Sequence, residues 1–252
     1  MRYSAKLAVG SLFAMALAVG SASAKGLSVD LENGKKIFNE GKGEVPACMG
    51  CHGADGLGSD DLGTPRLAGQ IFQFVAKQLE DYATDKRTDT TMYVMNTNAK
   101  GLSPQDRLDV AAFVSEWHHD RETIDGSVSN LATLKQNGVA VGETHLGKAI
   151  VNHGIHEKNV PACRSCHDFN GRGVDPLFPA IGQQKYSYLV AQMLKWRDGS
   201  RANDPHAAMR KVAQNMSDED IHNVSAYLSS KEASPFSMGN SRLPVRHVPY
   251  HH

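Results

Sequence analysis

The chain has 252 residues, 40% hydrophobic and 21% charged, a globular composition that excludes an intrinsically disordered or fibrous chain. Its 27 basic and 27 acidic residues cancel, so the basic footprint of a nucleic-acid binder is missing and no nucleic-acid partner is expected. Aromatic residues make up only 7%, so an all-protein core would lean on small aliphatics, a shortage that a large apolar cofactor would relieve.

Arg2 and Lys6 precede an apolar run from Leu7 to Val19, and small residues fill Gly20 to Ala24. This is the pattern of an export leader over 1–24, cut after Ala24. The run is short for a membrane span, and no other stretch is apolar enough to cross a bilayer. A first helix is predicted over about Leu31 to Glu40, a second over Ile71 to Tyr82. A third is capped by Ser103, with Pro104 at its first position and Asp106 three residues beyond the cap. Leu108, Ala111, Val114 and Trp117 then follow at helical spacing. Residues 25–122 form the first predicted domain, and 123–142, which resembles neither half, is read as a linker. In the second domain, 143–230, helices are predicted over Leu146 to Asn152 and Tyr186 to Arg197. A last helix there is capped by Ser217, with Asp220 behind it and Ile221, Val224 and Leu228 on one face. The remainder, 231–252, carries Pro235, Pro244 and Pro249 and reads as an irregular tail. No alternating strand pattern appears, so the fold class is all-α.

The two halves repeat each other. Val45-Pro46-Ala47-Cys48 equals Val160-Pro161-Ala162-Cys163 letter for letter. Gly34 to Gly41 lies opposite Gly147 to Gly154, and Pro65 to Gln70 faces Pro179 to Gln183, read as one residue shorter. The offset stays between 113 and 115 residues, which makes the chain an internal duplication of one small domain. Charge is not shared equally: 11 basic against 16 acidic residues in 25–122, and 10 against 9 in 143–230. Such a dipole can orient the molecule on a partner.

All four cysteines fall in Cys48-Met49-Gly50-Cys51-His52 and Cys163-Arg164-Ser165-Cys166-His167. C-x-x-C-H is the attachment signature of c-type haem. On a helical turn the two thiols reach the two vinyl groups of one porphyrin, and His52 or His167 places a nitrogen on its iron. A thioredoxin-like pair would need a βαβ context, a zinc site would use the cysteines alone, and structural disulfides give no reason for the following histidine.

The iron then needs a sixth ligand or an open site. Met95 and Met209 each stand eight residues before the caps Ser103 and Ser217, and are the axial candidates. A thioether favours ferrous iron, as suits an electron carrier. Methionine is also a common core filler, and Met92 and Met216 lie close by. Pro65 and Pro179 follow the histidines by 13 and 12 residues. Each offers a carbonyl that could hold the outer imidazole nitrogen, or is simply a turn proline. His118, His119, His145, His153, His156, His206 and His222 have no repeated counterpart, and His247, His251 and His252 of the tail are given no role.

With these residues the chain resembles the cytochrome c4 family of dihaem periplasmic cytochromes. The likeness rests on the doubled C-x-x-C-H motif, Pro65-Arg66-Leu67-Ala68-Gly69-Gln70, Phe178-Pro179-Ala180-Ile181-Gly182-Gln183, Lys77-Gln78-Leu79 and Arg197-Asp198-Gly199-Ser200-Arg201-Ala202-Asn203-Asp204. It implies two tandem class I cytochrome c domains about a pseudo-twofold axis, each with one covalent haem c and His/Met ligation. It also implies a periplasmic shuttle taking electrons from a quinol-oxidising complex or other donor to a terminal oxidase or reductase. A monomer is expected, and loose membrane association is compatible with it. The competing expectation is a dihaem redox enzyme or enzyme subunit: a peroxidase, a thiosulfate dehydrogenase, or the cytochrome of a flavin-containing sulfide dehydrogenase.

Overall fold

The computed structural model describes residues 28–234, so the predicted leader and the tail beyond 234 lie outside the described residues. In the first half, α1 spans Leu31–Glu40, α2 Met49–His52, α3 Phe72–Ala83, α4 Val94–Gly101 and α5 Pro104–Glu116. The second half repeats them as α8 (Thr144–His153), α9 (Arg164–His167), α10 (Tyr186–Asp198), α11 (Ala208–Gln214) and α12 (Asp218–Leu228). Among the described residues extended backbone pairs only as isolated bridges, such as Lys42 with Val45 and Ile155 with Val160.

Local chemistry explains where the helices begin. Asp30 accepts the Asn33 N–H at 3.0 Å and so caps α1. Ser103 and Ser217 form reciprocal capping boxes with Asp106 and Asp220, which satisfies the first free amides of α5 and α12. Gly41 and Gly154 end α1 and α8 with φ of 81° and 76°, a conformation that a side chain would strain.

Two equivalent glycines set the packing. A Cβ on Gly34 would lie 2.1 Å from the Asp109 carbonyl oxygen, and one on Gly147 would lie 1.9 Å from that of Asn223. Hydrogen in place of a side chain therefore lets the first and last helices of each half cross in backbone contact. Around the first crossing Ile37, Phe38, Phe72, Val75, Val110 and Val114 make one core. Ile150, Val151, Leu189, Ile221, Val224 and Leu228 make the other. Full burial of a side chain such as Phe38 or Ile221 stabilises its domain by about 2–3 kcal/mol.

The segment between the halves is structured. It contains α6 (Arg121–Gly126) and α7 (Leu131–Gln136). Ile124 packs with Leu57, Ala68 and Trp117 of the first half, and Leu134 with Tyr186 and Ala226 of the second. Two helices of six residues each are too short for a periodic apolar signal, which is why the sequence pattern shows nothing there. Of the segment expected to be an irregular tail, the described part is ordered: Lys231–Ala233 is a 3-10 turn, and Ala233 is buried in the second core.

Packing of one half on the other corrects the repeat. Gln70 corresponds to Gln184, not Gln183. Both place a side-chain oxygen on the following N–H, Ile71 and Lys185, at 2.9 Å. Both follow a residue with positive φ, Gly69 at 70° and Gln183 at 54°. Glycine and glutamine share that left-handed position, so letter matching slips by one there.

Candidate functional site

The two cysteine pairs sit on single helical turns. Cys48 and Cys163 precede α2 and α9 in helical conformation, and the His52 and His167 amides bond back to their carbonyls at 3.0 and 2.9 Å. A spacing of three thus puts both thiols of a pair on neighbouring faces of the turn, with the imidazole on the next residue. Cys51 and Cys166 are exposed, while Cys48 and Cys163 are half-buried. Burial pushes both inner thiols up to about 11, so before attachment to a haem they would be neutral S–H groups.

Each histidine is buried, and one ring nitrogen is fixed. His52 Nδ1 lies 3.2 Å from the Pro65 carbonyl oxygen, and His167 Nδ1 lies 2.8 Å from that of Pro179. A carbonyl only accepts, so Nδ1 carries the proton and the lone pair is left on Nε2. Burial lowers both imidazoles below the ordinary histidine value, outweighing the carbonyl contact, and keeps them neutral. A neutral ring with a free Nε2 and a held Nδ1–H is the form in which histidine ligates a metal.

Met95 and Met209 are each the second residue of a short helix, α4 and α11, which the sequence pattern did not reveal. The chain enters each helix through two left-handed residues, Met92 and Tyr93 (φ 52° and 61°) and His206 and Ala207 (φ 56° and 55°). A helix start is thereby set at a sharp bend, so the methionine position is defined by backbone geometry. The neighbouring candidates have other places. Met92 is 88% exposed, and Met216 is 3% exposed within the second core.

Arg87 and Arg201 are buried where the two halves meet, and among the described residues neither pairs with a carboxylate. Arg87 donates to Gln78, Tyr188 and Gln192, and Arg201 to Gln192, Asn203 and Gln78. Burial together with the nearby Arg87 charge pulls Arg201 down to about 10. Their hydrogen-bond partners are neutral, and although Asp89 acts on Arg87 from nearby, two buried cations are costly unless a further anion joins them. The carboxylates of a porphyrin would supply that charge. Thiol pairs, neutral imidazoles, repeated thioethers and buried guanidinia together make a donor set that fits haem c.

Comparison with known proteins agrees. A family model for cytochrome c matches residues 31–117 and again 146–232. A thiosulfate dehydrogenase electron acceptor of Stutzerimonas stutzeri (strain A1501) is 33% identical over 201 residues, covering 79% of this chain and 86% of that one. Cytochrome c4 of Pseudomonas aeruginosa is 33% identical over 190 residues, covering 75% of this chain and 85% of that one. Among solved structures, thiosulfate dehydrogenase from Marichromatium purpuratum superposes with a TM-score of 0.68 at 30% identity over 79% of this chain, which spans 40% of that longer chain.

Proposed function

The chain belongs to the cytochrome c family as two tandem domains of the cytochrome c4 kind, and on that premise we propose a periplasmic electron shuttle. Two covalent haems c come with that membership, one for Cys48 and Cys51 and one for Cys163 and Cys166. In this reading His52 with Met95, and His167 with Met209, would hold the two haem irons. When bound, the haem supplies a one-electron couple. The chain's own residues do the rest: Pro65 and Pro179 hold the imidazole protons, and the buried setting of both histidines limits reorganisation on electron transfer.

The observation that carries the proposal is equivalence. Both methionines occupy the same position behind the same left-handed bend, as expected for two domains doing the same work. We assign export to the leader 1–24 and the two domains to 25–122 and 143–230, with the turn Lys231–Ala233 packed on the second core. Among the described residues no helix is long and apolar enough to cross a membrane.

For partners, we infer that electrons arrive from a periplasmic dehydrogenase of the thiosulfate-oxidising type or from a quinol-oxidising complex, and leave to a terminal oxidase or reductase. The Stutzerimonas relative, a thiosulfate dehydrogenase electron acceptor, supports the first donor. The same relative, with the longer thiosulfate dehydrogenase, motivates a second reading in which this chain is an enzyme subunit. Mixing haem-loaded protein with thiosulfate, with and without a purified thiosulfate dehydrogenase, separates them. A shuttle is reduced only when the enzyme is present. Reduction by thiosulfate alone would assign the chemistry to this chain.

A further inference from the structure

The peptide bonds that hold the two histidines are each gripped by the opposite half of the molecule. The peptide joining Pro65 to Arg66 accepts from His52 Nδ1 through its carbonyl oxygen at 3.2 Å. Its N–H donates to Gln184 Oε1 at 2.6 Å. The mirror peptide, from Pro179 to Ala180, accepts from His167 Nδ1 at 2.8 Å and donates to Gln70 Oε1 at 2.9 Å. Each amide closes the grip with its nitrogen: Gln184 Nε2 donates to the Arg66 carbonyl at 3.0 Å, and Gln70 Nε2 to that of Ala180 at 2.8 Å.

Neither glutamine is free to turn. Gln70 and Gln184 are 6% and 5% exposed. Each Oε1 accepts two backbone N–H groups, its own neighbour's and the one across the junction, an arrangement that identifies the oxygen and excludes the flipped amide.

A peptide whose N–H is hydrogen-bonded is polarised, and its carbonyl oxygen becomes a stronger acceptor. A stronger acceptor on Nδ1–H makes the imidazole a more basic ligand, which favours ferric iron. Accepting His52 and His167 as axial ligands, as argued above, we propose that Gln184 and Gln70 are positioning residues that each lower the potential of the haem in the opposite domain. The two redox centres are then tuned by the docking of one domain on the other.

Gln184→Met and Gln70→Met, made in the haem-loaded full chain, test this by redox titration with each haem followed separately in its NMR methyl resonances. Gln184→Met raises the potential of the haem at His52, and at a fixed poise its ferric-to-ferrous ratio falls about threefold, a fraction of one neutral hydrogen bond. The haem at His167 moves less than half as far, and Gln70→Met gives the mirror result. The Nδ1 proton of the opposite histidine shifts in each case. Gln184→Asn, one methylene shorter, keeps an amide at the junction but withdraws it from Arg66, and shifts the same haem the same way. Shifts confined to the mutated domain, equal shifts in both, or none in either variant overturn the proposal. Failure of the ligand assignment is a separate result, seen as a high-spin spectrum in the unmutated protein.

Discussion

Gly34 lies against Asp109 so closely that a single added carbon would sit 2.1 Å from its carbonyl oxygen. The contact is backbone to backbone, so no side-chain movement can relieve it. Gly34→Ala is expected to destabilise the first domain by about 3 kcal/mol, at the upper end of overpacking costs, because α1 must move away from α5. Gly147→Ala does the same to the second domain, where the clash is with Asn223. Urea unfolding of each variant should show a lower midpoint, with the loss confined to the mutated half.

Methionine substitution separates ligand from filler. On the proposed ligation, Met95→Ala and Met209→Ala should each remove about half of the sulfur-to-iron charge-transfer absorbance of the oxidised protein, since each would remove one of two thioether ligands. Met92→Ala should leave the spectrum and stability unchanged, since that side chain is 88% exposed. Met216→Ala should leave the spectrum intact but cost about 2–4 kcal/mol, the price of a cavity in a packed core. A full band in Met95→Ala would rule it out as a ligand.

Asp106 gives the first domain a defined acid response. Burial works against its charge, but hydrogen bonds from Lys42, Asn33 and Ser103 outweigh it and hold the carboxyl down at about 2. The folded value is depressed below an unfolded value of about 3.9, so the contribution is complete above pH 4 or so. It fades as pH falls toward the folded value. Asp106→Asn should flatten the stability profile of the first domain between about pH 4 and 2. It should also lose about 1 kcal/mol at neutral pH through the weakened cap.

The connector contributes apolar side chains to both domains, Ile124 to the first and Leu134, with Leu131 and Val141 beside it, to the second. Ile124→Ala should destabilise the first domain and Leu134→Ala the second, each by about 2–3 kcal/mol. Hydrogen exchange resolved by domain would show the two effects in different halves. Equal loss of protection across the whole chain would instead mean that the connector acts only through the junction.

How much of this was legible in the sequence follows from the range of each interaction. The cysteine pairs with their histidines lie within five residues, and a helical turn fixes their geometry whatever surrounds them. The capped helices were also readable, because Ser103, Ser217 and their partners three residues on act through local hydrogen bonds. Duplication extended this reach: equal spacing from Met95 to Ser103 and from Met209 to Ser217 singled out two methionines without any contact being known. The helices α4 and α11 that carry them escaped notice, since they are too short for apolar periodicity and start at left-handed bends.

What only the tertiary structure decided is how the halves meet. The grip of Gln184 on Arg66 spans 118 residues, and that of Gln70 on Ala180 spans 110. No local pattern encodes a hydrogen bond between chain segments that far apart. The pairing depends on which faces the two cores leave outward and on the rotation at which they dock. Even the register of the repeat, Gln70 with Gln184, became visible only when both amides were seen holding the same kind of peptide.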